Sequence, residues 1–501
     1  MLTKYCFGAH AETGAVTAAV KEGEALPYFS AVKEEKGTRF CYPLGEDDVV
    51  FGLGETMRGI DKRGGRYVSF NTDNPHHADD MPSLYGSHNF FIVDGKRTFG
   101  AFFDTPARII FDIDYEGSGK IDILAEQGVT VYLVEGESAN DIARQFLAAI
   151  GRSYLPPLWA FGFGQSRWGY KTEKDVRKIA ARYKKAGMPL EYICLDIDYM
   201  DRYIDFTVNK QRFPDMKGLV KEMKARGVRL VPIVDAGIKI EPHNPVYEEG
   251  VKEGYFCKNL EGKDFQAAVW PGLTHFPDFL QAKAREWFGR QYKFYTDLGF
   301  EGFWNDMNEP AIFYSEYNTS RLGDKSCGDP LYKGGARLSD YKCFTHVVDG
   351  KTVSHWDVHN IFGAKMTEAS SEGLEKLLDK RFLLFSRSSY IGAHRFGGIW
   401  TGDNSSTFHM LRRNVTMMPG LNMCGFLFSG ADTGGFGGNC SRELLLRWLA
   451  FSVFTPLMRD HTAILTRDQE CFRYRGKRDF RSILSLRYRL LPYIYSEFMK
   501  A

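Results

Sequence analysis

The 501-residue sequence lacks several features that mark common classes of protein. Its first twenty residues contain no apolar core of a signal peptide, and no later apolar run is long enough to span a bilayer. The nine cysteines form no CxxC pair and no CxxC…HxxxH set, so we expect neither a metal site nor a disulfide framework. Neither sign of charge dominates, since 65 basic residues accompany 63 acidic ones, and this balance gives no indication of a nucleic acid or membrane partner. Together these absences predict a protein of the reducing cytoplasm.

Residues 1–155 are predicted to form an antiparallel β-sandwich. Strand-like runs with alternating or β-branched residues recur in this part, for example "RIIFDIDY" and "VTVYLVEG". Asp94-Gly95 separates two such runs, which indicates a hairpin. The last predicted element is a helix that begins at Ser138, with Asp141 in a capping-box-like position, and ends at Gly151.

Residues 156–501 follow a break at Pro156-Pro157, and their short apolar runs alternate with helical segments. One predicted helix begins at Thr172 and ends at Gly187; its apolar face carries Val176, Ile179, Ala180 and Tyr183. The eight strand candidates are "WAFGFGQSRW", "YICLDID", "RLVPIVDAG", "GFWNDMNEP", "RFLLFSRSS", "GGIWTGDNSS", "CGFLFSGADTGG" and "FTPLMRDH". Apolar strands separated by helices are typical of a parallel sheet, and eight such units predict a closed (β/α)8 TIM barrel. Residues 311 to about 380 are polar and glycine-rich, and they are predicted to be an insertion at the barrel mouth.

Polar residues stand at the ends of all eight candidate strands, where the active site of a (β/α)8 barrel lies. Loops begin with polar residues in any protein, so one such strand is weak evidence. Eight together predict an acid-rich site for a neutral polyhydroxylated ligand, whose ring faces could stack on tryptophans. No glycine-rich phosphate loop follows the first strand, so a nucleotide is not expected. The strand-end residues are Arg167, Trp168, Asp196, Asp198, Asp235, Asp306, Arg387, Asp403, Asp432 and His461, and the tryptophans are Trp168, Trp270, Trp304 and Trp400.

Six motifs carry a resemblance to a known family. "FWNDMNEP", "LDIDYM", "FSRSSY", "IWTGDNSS", "GADTGGFGG" and "MRDH", with "FGLGE" of the sandwich, resemble the motifs of glycoside hydrolase family 31, the α-glucosidase and isomaltase family. The resemblance extends from about Val50 to the end of the sequence. It implies an N-terminal β-sandwich, a (β/α)8 barrel, and retaining exo-cleavage of α-glucosides with no cofactor.

The resemblance also implies roles for individual residues. Asp306 in "WNDMNE" matches the nucleophile, and Asp403 in "GDN" matches the general acid/base. Asp196, Arg387 and His461 match residues that hold the terminal glucose, and Asp73 in "NTDNPHH" is expected to close the pocket from the sandwich. The other predicted sugar-binding residues are Trp168, Ile197, Trp270, Trp304, Met307, Trp400, Asp432 and Phe436.

The chemistry of retention allows the two aspartates to be distinguished. It requires two carboxyl groups roughly 5–5.5 Å apart, one ionised and one protonated. Asp306 is expected within reach of Arg387, which favours the ionised form, whereas Asp403 lies in a less charged setting. Glu309 is the alternative nucleophile, although its place beside a proline favours an orienting role.

Two departures from the family pattern qualify the resemblance. "GDNSSTF" carries Phe408 where the family usually has a tryptophan, so we expect altered packing behind the acid. The sequence also ends at "YRLLPYIYSEFMKA", where family members usually continue into β-domains. We therefore expect exposed apolar surface on the last helix, with low thermal stability or self-association.

The sequence thus predicts a cytoplasmic retaining exo-α-glucosidase that acts on short maltose- or isomaltose-type oligosaccharides, with a slight preference for α-1,6 links and little activity on starch. An α-xylosidase or α-galactosidase on the same scaffold is one alternative. A catalytically inactive carbohydrate-binding barrel is another, although the presence of both Asp306 and Asp403 argues against it. Asp198 and Asp235 remain open between a functional and a structural role.

Overall fold

The computed structural model describes residues 2–317 and 338–501. The predicted β-sandwich is confirmed, with two sheets that are antiparallel apart from one short parallel pair. Phe40 and Phe103 pack across the two sheets with ring centroids 5.2 Å apart, in a core of buried aromatic and β-branched residues. The six-stranded sheet has the order Lys21–Glu22, Leu2–Phe7, Val129–Glu135, Phe99–Asp104, Phe90–Asp94 and Val49–Gly52. The five-stranded sheet has the order Ser30–Glu34, Gly37–Pro43, Lys120–Ala125, Ile109–Ile113 and Gly65–Ser69.

The hairpin and the helix predicted within residues 1–155 are present in the structure. Phe90–Asp94 and Phe99–Asp104 form an antiparallel hairpin around Asp94-Gly95. The helix Ala139–Ile150 begins where the Asp141 N–H donates to Ser138 Oγ at 3.2 Å. Gly151, with φ 88°, ends this helix in a conformation that suits glycine.

The predicted parallel barrel is also confirmed. Its strands are Phe163–Arg167, Tyr192–Leu195, Arg229–Asp235, Gly302–Asp306, Leu383–Ser386, Gly398–Trp400, the pair Ser429–Gly430 and Asp432–Thr433, and Met458–Asp460. We number these positions one to eight. The seventh position closes the barrel, because Ser429–Gly430 pairs with the sixth strand and Asp432–Thr433 pairs with the eighth, which in turn pairs with the first.

Helices surround this barrel. The first of them, Glu173–Ala186, has a capping box at Thr172 and ends at Gly187, and its buried face consists of the four residues predicted for it. The others in the described ranges are Met216–Ala225, Pro245–Glu253, Ala282–Gln291, Lys293–Leu298, His355–Val358, Phe362–Leu377, Phe408–Met423, Arg442–Ser452 and Lys477–Lys500. None of the helices in the described part is both long and apolar enough to cross a membrane.

The region predicted as an insertion, residues 311–380, is partly structured as separate small sheets. Tyr314–Ser315 joins a sheet with Ala267–Val269, Gly272–His275 and Ile238–Lys239, and Phe344–Val348 pairs with Lys258–Asn259 and Lys351–Ser354. Residues 318–337 of the predicted insertion lie outside the described residues. The helix Phe362–Leu377 belongs to the outer ring of the barrel, because it packs closely on Ala282–Gln291 through Gly373 and Gly289. A Cβ at Gly373 would lie 2.4 Å from the Gly289 carbonyl oxygen, so only glycine permits this approach.

Candidate active site

The predicted strand-end residues lie together at the C-terminal mouth of the barrel. Asp235 and Asp306 are the last residues of the third and fourth strands, and they are directly opposite each other. Arg387 follows the fifth strand, and His461 follows the eighth. Parallel strands all end at one edge of the barrel, so acids and cations that are distant in the sequence share one site.

The backbone and one guanidinium hold the carboxylate of Asp306. Its Oδ1 accepts a hydrogen bond from the Met307 N–H at 2.7 Å and lies 3.0 Å from Nη1 of Arg387. Met307 has φ 58°, a conformation that non-glycine residues seldom adopt, and this turn directs its N–H back to the carboxylate. Burial raises the pKa of Asp306, and Arg387 opposes the rise. Oδ2 has no partner in the described part of the chain, so it is the carboxylate atom left for a ligand.

Arg387 is the buried cation that gathers the acids of the site. Its side chain is 2% exposed, and its Nε and Nη2 donate to the two oxygens of Glu309, each at 2.8 Å. Nη2 also lies 3.6 Å from Asp73, which the sandwich contributes. The guanidinium sits 4.8 Å from the centroid of the Tyr85 ring. Arg387 therefore links two acids of the barrel to one acid of the sandwich, and the closure of the pocket by Asp73 stays a prediction.

Glu309, the alternative nucleophile, has no free carboxylate oxygen. Both of its oxygens accept from Arg387, and the side chain is 0% exposed. Burial raises the pKa of Glu309 to about 7, and Arg387 opposes the rise. This geometry favours an orienting role for Glu309, with Asp306 as the acid that a ligand can reach.

Asp403 has a less charged environment than Asp306. It follows the sixth strand, and no cation among the described residues forms an ion pair with it. Burial raises the pKa of Asp403 well above its usual range, since the nearby acids add to the effect and only Arg387 opposes it. Tyr85 of the sandwich packs against this turn, where a Cβ on Gly402 would lie 2.1 Å from the Tyr85 ring. Phe408 is 50% exposed, and the altered packing behind the acid stays a prediction.

Asp196 and His461 meet across the second and eighth strands. Asp196 Oδ1 accepts from the Ile197 N–H at 2.7 Å, and its Oδ2 lies 3.6 Å from His461 Nε2. Burial raises the pKa of Asp196 to about 8 and holds that of His461 well below its usual range. The His461 ring stacks on Phe436 at 4.9 Å and meets Trp304 edge-on at 5.2 Å. Ile197, Phe436 and Trp304 therefore contact this pair, and their predicted role in sugar binding stays a prediction.

Below these residues lies a floor that the sequence only partly indicated. Trp304 and Trp400 are each 1% exposed and meet edge-on at 5.4 Å. The guanidinium of Arg459 lies 4.4 Å from the Trp304 ring centroid and donates to Asp432. Asp432 is 0% exposed, so the structure places it in the floor, and its predicted contact with a sugar stays a prediction. Arg459 was not among the predicted residues, although its place in an otherwise apolar strand, "PLMRDH", is a signal.

An aromatic wall stands at the mouth. Trp168 and Trp270 pack edge-on at 5.2 Å, and Trp270 meets Phe313 at 4.9 Å. All three side chains are half-buried, which leaves ring surface for a ligand. The predicted tryptophans thus divide into a wall, Trp168 and Trp270, and a floor, Trp304 and Trp400.

A second acid pair lies beside the predicted site. The Asp235 N–H donates to Asp205 Oδ1 at 2.9 Å, and burial raises the pKa of both side chains well above their usual range. Both oxygens of Asp235 are buried and lack a hydrogen-bond partner within the described ranges, so the role of Asp235 stays open between function and structure. Asp198 Oδ1 lies 3.3 Å from Arg212 Nη1, and this ion pair favours a structural role for Asp198. Asp205 was not predicted, because it lies in a loop, "RYIDF", with no local sequence signal.

The fold and the site define a (β/α)8 barrel with an acid-lined pocket that a β-sandwich helps to close. Comparison with family models places the chain more narrowly. Residues 153–497 match the model for the glycosyl hydrolases family 31 TIM-barrel domain, and residues 20–112 match the glycosyl hydrolase 31 N-terminal galactose mutarotase-like domain. The chain therefore belongs to glycosyl hydrolase family 31.

Named relatives agree with this membership. The chain is 38% identical over 489 residues to alpha-glucosidase 2 of Bacillus thermoamyloliquefaciens, with 96% of this chain and 58% of that protein covered. It is 33% identical over 465 residues to an alpha-glucosidase of Saccharolobus solfataricus, with 90% and 66% covered. The chain thus spans about three fifths of the length of these relatives.

Solved structures share the fold over nearly the whole chain. The catalytic subunit in the ER glucosidase II heterodimeric complex matches with a TM-score of 0.80 at 29% identity, over 93% of this chain and 52% of that one. A family 31 dextranase of Flavobacterium johnsoniae, complexed with isomaltotriose, matches with a TM-score of 0.82 at 26% identity, over 95% and 57%.

Proposed function

We propose that this protein is a retaining α-glucosidase that removes glucose from the non-reducing end of short α-glucosides. The observation that carries the proposal is the different setting of two acids at one barrel mouth. Asp306 keeps one free oxygen beside a guanidinium at 3.0 Å, whereas burial among other acids favours the protonated form of Asp403. A retaining glycosidase needs this division between an ionised and a protonated carboxyl group.

The proposed reaction has two steps. Asp306 Oδ2 attacks C1 of the terminal glucose and forms an ester, while the glycosidic C1–O bond breaks and Asp403 gives its proton to the leaving oxygen. Asp403 then takes a proton from water, the water oxygen attacks C1, and the ester bond breaks to release glucose with its α configuration. Arg387 and the Met307 N–H hold Oδ1 of Asp306, so Oδ2 faces the reacting carbon.

The pocket geometry supports exo-action. Asp73 comes from the sandwich side and lies 3.6 Å from Arg387, so we propose that the sandwich closes one end of the site. A closed end accepts one terminal sugar and does not let a polymer pass through. The wall of Trp168 and Trp270 then suits the second sugar.

The relatives support glucose as the sugar, because the two named above are α-glucosidases. We also propose a slight preference for α-1,6 links. The complex of the dextranase relative with isomaltotriose is consistent with that preference. The cytoplasmic location is likewise a proposal, and it rests on the eight cysteines in the described ranges, which are all free thiols.

A panel of nitrophenyl α-glycosides tests the sugar, and proton NMR of the product formed first tests retention. We expect release from the glucoside well above the xyloside and galactoside, with the α-anomer of glucose appearing before the β-anomer. Maltose and isomaltose should yield glucose, and amylose should not yield internal oligosaccharides first. Fast cleavage of the xyloside or galactoside would select that alternative activity, β-anomer release would exclude retention, and no cleavage at all would favour a binding protein.

A further inference from the structure

Three buried histidines outside the site form one continuous row of hydrogen bonds. His346 Nδ1 lies 2.6 Å from Asp278 Oδ1, and His346 Nε2 lies 2.8 Å from His355 Nδ1. His355 Nε2 lies 2.7 Å from His359 Nδ1, and His359 Nε2 lies 2.7 Å from the Asn71 carbonyl oxygen. All three imidazoles are at most 1% exposed. We call these three residues the histidine relay.

The relay holds more protons than three neutral rings can supply. Each of its four contacts joins two electronegative atoms at 2.8 Å or less, and each therefore needs one proton between them. Both ends are acceptors, since one is the Asp278 carboxylate and the other is the Asn71 carbonyl oxygen. Three neutral imidazoles provide three N–H groups, so one additional proton is required. The relay and Asp278 are then neutral as a unit.

The additional proton belongs at the Asp278 end. Burial opposes a low pKa at Asp278, but His346 outweighs it and holds this pKa below its usual value. The remaining donors to that carboxylate are the Val347 N–H at 2.8 Å, Gln281 Nε2 at 2.7 Å and the Leu280 N–H at 3.3 Å. Cys257 Sγ is 3.6 Å from His346 Nδ1, and burial raises the pKa of this thiol well above its usual range. Because donors already occupy the Asp278 oxygens, Cys257, Asp278 and His346 form a hydrogen-bonded cluster and not a metal site.

The other end of the relay reaches the pocket. Asn71 lies two residues before Asp73, and its side-chain Nδ2 donates to Ser388 Oγ at 2.8 Å, beside Arg387. The Asn71 N–H donates to Asn360 Oδ1 at 3.1 Å. The segment that carries Asp73 into the pocket is therefore tied to the barrel at Asn71, where the relay supplies the bond to the carbonyl oxygen.

We infer that His346, His355 and His359 are positioning residues, which share one proton beyond three neutral imidazoles and thereby fix the Asn71–Asp73 segment against the pocket. The relay touches no substrate, and its effect on catalysis passes through Asp73. The part of the inference that concerns glucoside binding rests on the proposed function. The proton count and the fixing of the Asn71–Asp73 segment do not depend on the proposed function.

Nitrogen-15 NMR of histidine-labelled protein tests the proton count without any substrate. Protonated and bare imidazole nitrogens have well-separated chemical shifts. Spectra of single histidine variants assign the signals of the relay. We expect four of its six ring nitrogens to be protonated near pH 7, with their protons shifted far downfield and protected from exchange. Three protonated and three bare nitrogens beside an ionised Asp278 carboxyl group, read from its carbon-13 shift, would overturn the inference. Three protonated nitrogens beside a protonated Asp278 would keep the count, because the fourth proton then lies on oxygen.

Three variants test the positioning role. His359→Phe keeps the ring that stacks on Phe70 at 3.8 Å but removes both nitrogens. His359→Gln restores a donor to the Asn71 carbonyl oxygen. His394→Phe is the matched control, because His394 is also buried and bonds a backbone carbonyl, that of Gly151, outside the relay.

We expect His359→Phe to speed hydrogen exchange in the peptide that contains residues 70–75, and to raise KM for a nitrophenyl glucoside about fivefold, the effect of one lost hydrogen bond, with little change in kcat. His359→Gln should recover most of both effects, and the control should show neither. Unchanged exchange in a folded His359→Phe protein, or an equal effect in the control, would refute the positioning role. Should His359→Phe not fold, the proton count from NMR and the hydrogen exchange and KM of His359→Gln decide whether the inference holds. A chain that hydrolyses no glucoside would defeat the proposed function, and the NMR and exchange results would still decide the inference.

Discussion

At the scale of single residues, Asp306 and Asp403 must carry opposite protonation states for the proposed reaction. Burial raises the pKa of both, but it moves Asp403 much further. As pH rises through the pKa of Asp306, the nucleophile ionises and kcat/KM should increase. At higher pH Asp403 loses its proton and kcat/KM should fall. The alkaline limb should therefore vanish in Asp403→Ala assayed with an activated aryl glucoside, and its persistence would assign that limb to another group.

The alanine variants of the two acids should fail in different ways. Asp403→Ala should lose about 10²–10⁴-fold on maltose, which needs a proton donor, and far less on a dinitrophenyl glucoside. Azide should then rescue turnover and give the α-azide. Asp306→Ala should lose several orders of magnitude on every substrate, and azide should give the β-azide. Equal losses on both substrates for Asp403→Ala would show that the acid is placed wrongly.

The burial of Asp196 in the pocket should lower the free energy of unfolding as pH rises. Its pKa is about 8 when folded and about 3.9 when unfolded, so between these values the unfolded chain has lost a proton that the folded chain keeps. Unfolding is then favoured as pH rises. Asp196→Asn removes this effect, so its unfolding free energy relative to wild type should rise by about 1.4 kcal/mol per pH unit between pH 5 and 7, measured by urea denaturation. A constant difference would contradict the raised pKa.

Some residues of the candidate site could be predicted from the sequence and others could not. Asp306, Arg387 and His461 directly end or follow apolar strands, so the barrel geometry fixes their location once the strands are known. Asp205 lies in a loop and meets Asp235 only through tertiary packing. No periodic pattern encodes such a contact.

At the scale of elements, periodicity and caps predicted the strands and helices well, because both act over a few neighbouring residues. The same dependence on neighbouring residues made the predicted insertion too long, because it included a helix that belongs to the barrel. Phe362–Leu377 is rich in small and polar residues, and only its close contact with Ala282–Gln291 identifies it as a barrel helix. The histidine relay likewise joins a strand and two adjoining short helical segments to Asp278 and Asn71, which are distant in the sequence.

The last helix, Lys477–Lys500, is fixed to the bottom of the barrel by one buried cation. Arg487 is 0% exposed and donates to the carbonyl oxygens of Phe161, Val453 and Pro456, each at 2.7 Å. Arg487→Leu would leave all three carbonyls unpaired, so we expect it to lower the free energy of unfolding by about 3 kcal/mol or more. Arg489→Leu, on an exposed position of the same helix, is the control and should change it little. Similar values for both variants in urea denaturation would contradict this role.

At the scale of the whole molecule, the sandwich is part of the candidate site. It contributes Asp73 and Tyr85, and its Gly86–Ser87 strand pairs with Ser389–Tyr390 beside Arg387. The last helix also leaves Tyr493 65% and Met499 57% exposed. The predicted self-association stays a prediction, and sedimentation of the protein over a range of concentrations measures it directly.

The central claim is that Asp306 forms a covalent bond to the sugar. A glucosyl fluoride with a second fluorine on the ring slows both steps and lets the ester accumulate, so that digestion and mass spectrometry can locate it. We expect the sugar on the peptide that contains "FWNDMNEP", with fragmentation placing it on Asp306. A sugar located on Glu309 or Asp403, or no labelled peptide from an active enzyme, would contradict the account.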